Sequence, residues 1–303
     1  MTMRFLITGG TGTTGSRVAA ALTGPDTSER DTFERDTFEQ DTSERGATVR
    51  LASRTPAPGT RQVRFDWADP ATHGPALTGI DGVYLVPPAG DAEPSRLMVP
   101  FLERALDAGV RRFVLLSSSA IGEGDPGAGE VHQAVRELTP EWAVLRPSWF
   151  MQNFVTPGHL HGDSIRTANE VVTATGQGRV AFVDADDIAA VAVRALTDER
   201  PHNAAHLVTG PETLSYTDIA EVISKASGRT VSHRSVPVAQ LRERLVAAGI
   251  PEAFAGALAA MDDSIAHGSE DRVDPAVERI TGRAARSFAD FAAENAAKWA
   301  PTP

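Results

Sequence analysis

Residues 4–22 read RFLITGGTGTTGSRVAAAL. Arg4 to Thr8 is an apolar run of strand length, Gly9 to Gly15 is a glycine-rich turn, and Ser16 to Leu22 starts an apolar helix. The glycines fit two templates. Gly10, Gly12 and Gly15 give G-x-G-x-x-G; Gly9, Gly12 and Gly15 give G-x-x-G-x-x-G. Under either, glycine permits a tight turn, and the missing Cβ lets backbone N–H groups approach an anion at the helix N-terminus. A strand before and a helix after make this the opening of a dinucleotide-binding βαβ unit rather than a plain loop. Gly9, Gly10, Gly12, Thr13, Thr14 and Gly15 are the candidate pyrophosphate-side residues.

Thr48 to Arg54 (TVRLASR) is the second strand. The end of such a strand normally meets the adenosine ribose, about 20 residues past the last glycine. Here Arg54 lies 39 residues beyond Gly15. Asp26 to Arg45 reads DTSER DTFER DTFEQ DTSER, a five-residue unit repeated four times, and without it the spacing returns to 19. A period of five drifts against the helical turn, and two Phe give the segment little to bury. It carries −5 of the chain's net charge of −11. It reads as an insertion, either solvated and mobile or a polar helical extension. No acid stands at the strand end; Ser53 and Arg54 do. An acid there favours a free ribose 2′-hydroxyl, whereas an arginine suits a 2′-phosphate. A solvated turn arginine is the plain alternative.

Strands and helices then alternate. Gln62 to Asp66 is a short strand, with Asp66 near the expected adenine, and Gly82 to Val86 is another, running into Pro87. Met98 to Ala108 and Val131 to Leu138 read as helices, and Arg112 to Leu116 and Trp142 to Leu145 as strands. Such alternation implies an α/β protein with a doubly wound parallel sheet. Ligands bind outside the carboxyl ends of its strands. Val86, Pro87, Ser117, Ser118 and Pro147 therefore join Ser53, Arg54 and Asp66 as cofactor-side candidates. Further on, short strands fall at Val171–Thr175, Val180–Val183 and His206–Thr209. Helices fall at Ile188–Leu196, from a Ser215/Asp218 capping box through Ala226, and at Val238–Ala248, Pro251–His267 and Ser287–Trp299. The expected organisation is a dinucleotide-binding domain over 1–155 and a smaller, mostly helical lobe over 156–303. Parts of 180–210 are expected to return to the sheet.

Composition narrows the function. The 303 residues include no cysteine, which excludes disulfides, thiolate metal sites and Cys nucleophiles and agrees with the expected cytoplasmic location. The acidic balance argues against nucleic acid as a partner. No apolar run approaches the ~18 residues of a membrane span, and the first residues lack a signal-peptide core. No metal site is expected. His159-Leu-His161 lacks further ligands, and Asp184, Asp186 and Asp187 read as helix-start acids. Ser117 to Ser119 lack the flanking glycines of a hydrolase nucleophile.

The glycine loop, RFVLLSSS (112–119), LRPSWFMQNF (145–154) and FVDADDI (182–188) together resemble the NmrA-like atypical short-chain dehydrogenases. Within them the chain is most similar to the bacterial relatives of the ergot alkaloid (festuclavine and agroclavine) dehydrogenases. The likeness runs from Met3 to Trp299 and fails only in the repeat. It implies a Rossmann-like domain with a small substrate lobe and a nicotinamide cofactor, which Arg54 specifies as NADPH. It also implies reduction of an imine, iminium, quinone or carbonyl in secondary metabolism. NmrA itself is a cofactor-binding regulator, so a redox sensor without catalysis is the alternative. The expected partner is a small-molecule substrate, with a homodimer as the candidate assembly.

The chain departs from ordinary short-chain dehydrogenases, which carry a Tyr-x-x-x-Lys pair on the helix after the serine-ended strand. Its two tyrosines, Tyr84 and Tyr216, lie elsewhere. That helix instead offers His132 and Arg136 on one face. His132 is the candidate catalytic proton donor, with a lining or capping role as its alternative. Hydride addition to a ketone leaves an alkoxide that needs a proton. Addition to an iminium gives a neutral amine and needs none, and a quinone gives a phenolate that water protonates later. The missing tyrosine therefore tilts toward iminium or quinone-type acceptors. Trp149, Phe150 and Phe154 are the candidates to lie against a flat or cyclic substrate, with core packing as their alternative.

Overall fold

The computed structural model describes residues 2–24 and 47–300, so the repeat at 26–45 lies outside the described residues. Strands β1 (Arg4–Ile7), β2 (Thr48–Ser53), β3 (Gln62–Arg64), β4 (Gly82–Leu85), β5 (Arg112–Leu116) and β6 (Glu141–Pro147) form one sheet. With β9 (Ala204–Val208) the order is β3-β2-β1-β4-β5-β6-β9, and the pairs from β3 to β6 are parallel. Phe5 to Ile7, Val83 to Leu85, Phe113 to Leu115 and Ala143 to Leu145 are buried without alternation. Parallel strands covered on both faces require such unbroken apolar runs.

The connecting helices are α1 (Gly15–Thr23), α2 (His73–Leu77), α3 (Ser95–Asp107), α4 (Ala128–Leu138) and α6 (Ala185–Thr197). Leu77, Met98, Phe101, Leu102, Val131 and Val135 pack on one sheet face with Leu6, Val83, Leu85, Phe113 and Leu115. Arg112, buried at the start of β5, donates Nε to Glu141 at 2.9 Å and Nη1 to the Leu196 and Asp198 carbonyls. It fastens two strands to the C-terminal end of α6, where a cation is favourable.

The remaining elements are α5 (Leu160–Ala168), β7 (Glu170–Thr173), β8 (Arg179–Val180), β10 (Leu214–Ser215), α7 (Tyr216–Ser227), β11 (Ser232–Ser235), α8 (Val238–Ala247), α9 (Glu252–Ala266), α10 (Ala276–Thr281) and α11 (Phe288–Asn295). Here β10 pairs antiparallel with β8, and β11 pairs parallel with β7. Their core holds Phe154, Phe182, Tyr216, Ile219, Phe288 and Trp299. The capping box is present: Ser215 Oγ accepts from Asp218 N, and Asp218 accepts from Ser215 N.

The described chain divides into two compact units. One takes the described residues of Met1–Ser117, with Ile121–Leu145 and Ile188–His206; the other takes Ser118–Ala120, Arg146–Asp187 and the described residues of Leu207–Pro303. The second unit thus claims the chain from Arg146, earlier than the expected boundary at 155. The reason is local: Ser148 N donates to Val208 O at 3.0 Å, and Phe150 bridges Val183. Between 180 and 210, the stretch Ile188–His206 belongs to the first unit.

Candidate functional site

The first unit builds a cradle at the C-terminal end of β1. Thr8 donates from both N and Oγ1 to the Tyr84 carbonyl at 3.0 Å, and its Oγ1 accepts from Val86 N at 2.7 Å. One hydroxyl thereby ties the ends of β1 and β4 together. Gly9 then turns with φ +62°, and its carbonyl accepts from Gly12 N at 2.8 Å. A Cβ on Gly15 would lie 2.3 Å from the Gly9 carbonyl oxygen, and one on Gly9 would lie 3.1 Å from Val86. Gly15 is thus the tightest position of the loop, and at Gly10 an added Cβ would lie 3.0 Å from Leu51 of β2. At Gly12 an added Cβ meets only the Gly9 oxygen, at 3.2 Å, and the residue is exposed.

The start of α1 has no side-chain cap and no acid in its first turn. Ser16 Oγ donates to Gly12 O at 2.8 Å, and Arg17 Nη1 to Thr13 O at 2.7 Å, so loop carbonyls are taken up by the helix's own side chains. The N–H end of the helix, with Thr13 and Thr14 before it, stays available to an anion. Tyr84 lies fully buried with its hydroxyl toward Thr14, and burial pushes its phenol well above the ordinary range. Its phenol stays protonated at neutral pH and is closed off from solvent.

At the end of β2, Ser53 is half-buried and its Oγ accepts from Thr55 N at 3.3 Å. Arg54 is exposed and forms no ion pair with a described residue. Asp66 follows β3; its Oδ1 accepts from Ala68 N at 3.0 Å, an Asx turn, and its carbonyl faces His73 Nε2. Val86 and Pro87 are half-buried beyond β4. Ser117, beyond β5, donates its N–H to Leu145 O at 2.7 Å, while its Oγ is buried without a hydrogen-bond partner. Leaving such a hydroxyl unpaired costs about 1–3 kcal/mol, which a hydrogen-bonding ligand atom there would relieve. An open helix start, a glycine turn that excludes Cβ atoms and an orphaned hydroxyl at a neighbouring strand end fit a dinucleotide.

Packing accounts for two of the candidates. His132 is 2% exposed on α4, its Nε2 is 3.9 Å from Glu123, and its ring centroid is 6.4 Å from that of Trp142. Trp142 is the second residue of β6, and the candidate ligand end of that strand, Pro147, lies five residues on, about 16 Å at strand rise. His132 packs α4 onto the sheet, and Arg136 pairs with Glu123 beside it. Phe154 is fully buried in the second unit. It stacks on His161 and meets Phe182 and Phe288 edge-on, and its carbonyl accepts from Trp299 Nε1 at 2.7 Å. It is a core residue.

Other candidates fall in the second unit too. Ser118 is half-buried, and Pro147 accepts from Ser119 N at 2.9 Å. Trp149 and Phe150 are half-buried, their backbone paired with Val183. The His159/His161 pair is explained by packing, since His159 Nδ1 accepts from His161 N to cap α5. Burial pushes the His161 imidazole down to about 3, so it stays neutral. Asp184 and Asp187 do more than start a helix. Asp184 accepts from Gln152 Nε2 at 2.7 Å and Arg286 Nη1 at 3.1 Å, and Asp187 pairs with Arg283 and accepts from Arg286 N. Those arginines lie about a hundred residues away in sequence, beyond any local motif.

The profile of the NmrA-like family matches residues 1–292. The protein named uncharacterized oxidoreductase YesF, from Bacillus subtilis (strain 168), is 43% identical over 297 residues, covering 97% of this chain and 96% of its own. Agroclavine dehydrogenase of Claviceps fusiformis is 37% identical over 259 residues, covering 82% of this chain and 89% of its own. Among solved structures, the triphenylmethane reductase of Citrobacter sp. superposes with a TM-score of 0.76 at 21% identity, covering 98% of this chain and all of its own, a likeness of fold. The β3-β2-β1-β4-β5-β6-β9 sheet of this chain is Rossmann-like, and the chain belongs to the NmrA-like family.

Proposed function

We propose that this protein is an NADPH-dependent reductase delivering hydride to a small cyclic imine, iminium or quinone-type substrate. At the coarser level it is an NAD(P)H-dependent oxidoreductase of the NmrA-like family. The observation that carries the reading is the cradle: Gly9, Gly12 and Gly15 against the uncapped start of α1, with the unpaired Ser117 hydroxyl two strands away. Backbone N–H groups there suit a pyrophosphate. Arg54, exposed at the end of β2, suits a 2′-phosphate, which is the basis for NADPH over NADH. Asp66 is assigned to the adenine side, and Ser53, Val86, Pro87, Ser118 and Pro147 to the remaining cofactor contacts.

The nicotinamide supplies a hydride when bound. The chain's part is to orient the reactants and keep water away, which alone is worth several kcal/mol. The substrate class rests on proton accounting. Tyr84 is sealed under the loop, Tyr216 lies in the second unit's core and His132 is enclosed on α4. No side chain among them is placed to protonate an alkoxide. An iminium carbon takes the hydride and its two electrons to become a neutral amine, with no acid needed. A quinone becomes a phenolate that water protonates afterwards. Trp149 and Phe150 are assigned to the flat face of that substrate.

The test is a screen of NADPH consumption, followed by nicotinamide absorbance, against cyclic imines, iminium salts, quinones and simple ketones. Turnover of an imine, iminium or quinone above that of ketones is expected. Ketones turned over fastest would overturn the substrate class. The lack of a placed acid suits a redox sensor equally, and tight NADPH binding with no turnover across the panel would transfer the assignment to it.

A further inference from the structure

Beyond β5 the chain passes through Ser118–Ala120, three residues that group with the second unit. Charged side chains from distant parts of the sequence hold them. Arg146 donates through Nε to the Ser118 carbonyl at 3.4 Å and through Nη2 to the Ser119 carbonyl at 3.0 Å. Arg272 Nη2 donates to the same Ser119 carbonyl at 3.1 Å. The Ser119 hydroxyl donates to Glu270 Oε2 at 2.8 Å. Glu270 is 3% exposed and lies 3.7 Å from Arg272. The hydride chemistry above uses none of Glu270, Arg146 and Arg272.

A buried carboxylate with guanidinium partners is no cheap source of stability; well-packed apolar side chains often do as well or better. What this cluster secures is geometry. Two guanidinium groups on one carbonyl fix the backbone direction at residue 119, and the carboxylate fixes its side chain. The chain two residues earlier carries the buried, unpaired Ser117 hydroxyl, whose backbone N–H is itself held by Leu145 O. The segment that must place a hydroxyl is thus pinned from both ends.

The end of β5 lies across β1 from β2, whose end takes the adenosine, so Ser117 falls on the nicotinamide side of the cradle. We infer that Glu270, together with Arg146 and Arg272, is a positioning residue: it clamps Ser118 and Ser119 and so sets where the Ser117 hydroxyl meets the nicotinamide half of the cofactor. This rests on the NADP(H) reading above. It predicts a loss confined to one half of the ligand, which general loosening of the fold would not produce.

The experiment titrates NADPH and 2′,5′-ADP, which has the adenosine phosphates but no nicotinamide, into the unaltered protein, Glu270→Ala and Glu270→Gln by calorimetry. Thermal unfolding is followed alongside. A small displacement at a positioned group is costly, so Glu270→Ala should weaken NADPH about tenfold and leave 2′,5′-ADP within about twofold. Glu270→Gln keeps an acceptor for the Ser119 hydroxyl and should return NADPH to within about threefold of the unaltered protein. Equal weakening of both ligands, no weakening of either, or a Gln variant as weak as the Ala variant would overturn the clamp. Should Glu270→Ala unfold, Ser119→Ala removes the same hydrogen bond with little change of volume and carries the test. An unaltered protein that binds no NADPH would overturn the cofactor reading itself, a result distinct from failure of the clamp in a protein that binds it.

Discussion

Arg54 stands exposed at the end of β2, paired with no described residue, so its guanidinium is free to meet a phosphate. A charge-assisted hydrogen bond is worth about 1.5–3 kcal/mol. Arg54→Ala should therefore weaken NADPH about tenfold or more and NADH hardly at all, as calorimetry would read directly; equal losses would remove the 2′-phosphate assignment. Asp262 offers a different test. Burial pushes its carboxyl up to about 6, with one hydrogen bond, from Ala174 N, drawing it back. In an unfolded chain an aspartate titrates near ~3.9. Folding therefore favours its protonated form, a contribution complete below about pH 4 and lost as pH rises through about 6. Asp262→Asn keeps an acceptor for Ala174 without the charge. Urea unfolding should show it stabilised by up to about 3 kcal/mol at about pH 7.5 and not at about pH 4. At this scale the sequence was uneven as a guide. The end of β2 at Ser53 could be read from its spacing to Gly15, because strand and helix lengths are regular. His132 and Phe154 could not be placed, because which side of a helix or turn faces packing depends on partners such as Trp142, Phe182 and Trp299. Glu270 and Thr8 carried no local signal at all; each acts through a residue more than seventy positions away.

Among elements, the turn between β1 and α1 is the least tolerant of change. An added methyl at Gly15 meets backbone atoms of Gly9 and Gly10, which cannot rotate away as a side chain would. Gly15→Ala should lose at least about 1–3 kcal/mol of stability, the usual scale of overpacking, and most NADPH affinity. Denaturant unfolding and calorimetry on the same preparation would check both. β1, β4, β5 and β6 were legible because each carries an unbroken apolar run, and α7 because its Ser215/Asp218 box is a local hydrogen-bond pattern. By contrast β11 is Ser-His-Arg-Ser, mostly exposed, and becomes a strand only through pairing with β7. α5 is polar along Leu160–Ala168 and ends at Asn169 with φ +54°, so it shows little apolar period.

For the whole molecule, the described flanks of the repeat define a deletion. α1 ends at Thr23 before Gly24, and β2 begins at Thr48. Removing residues 26–45 leaves Gly24-Pro25-Gly46-Ala47 as the connection, within the 2–6 residues common for αβ loops. The shortened protein should unfold within about 2 °C of the full chain and bind NADPH within about twofold; a larger change would show that the repeat contributes to the fold or the site. The division of the chain was less legible than the sheet, because it follows contacts and ignores sequence order. That interleaving bears on how the protein is made. The sheet's outer strand β9 ends at Val208, long after its neighbour β6 ends at Pro147. On a ribosome adding about 5–20 residues per second, β6 waits roughly 3–12 s with its backbone edge bare. A nascent chain in that interval offers an open sheet edge to its neighbours on a polysome, and synthesis speed through 148–208 sets how long the hazard lasts.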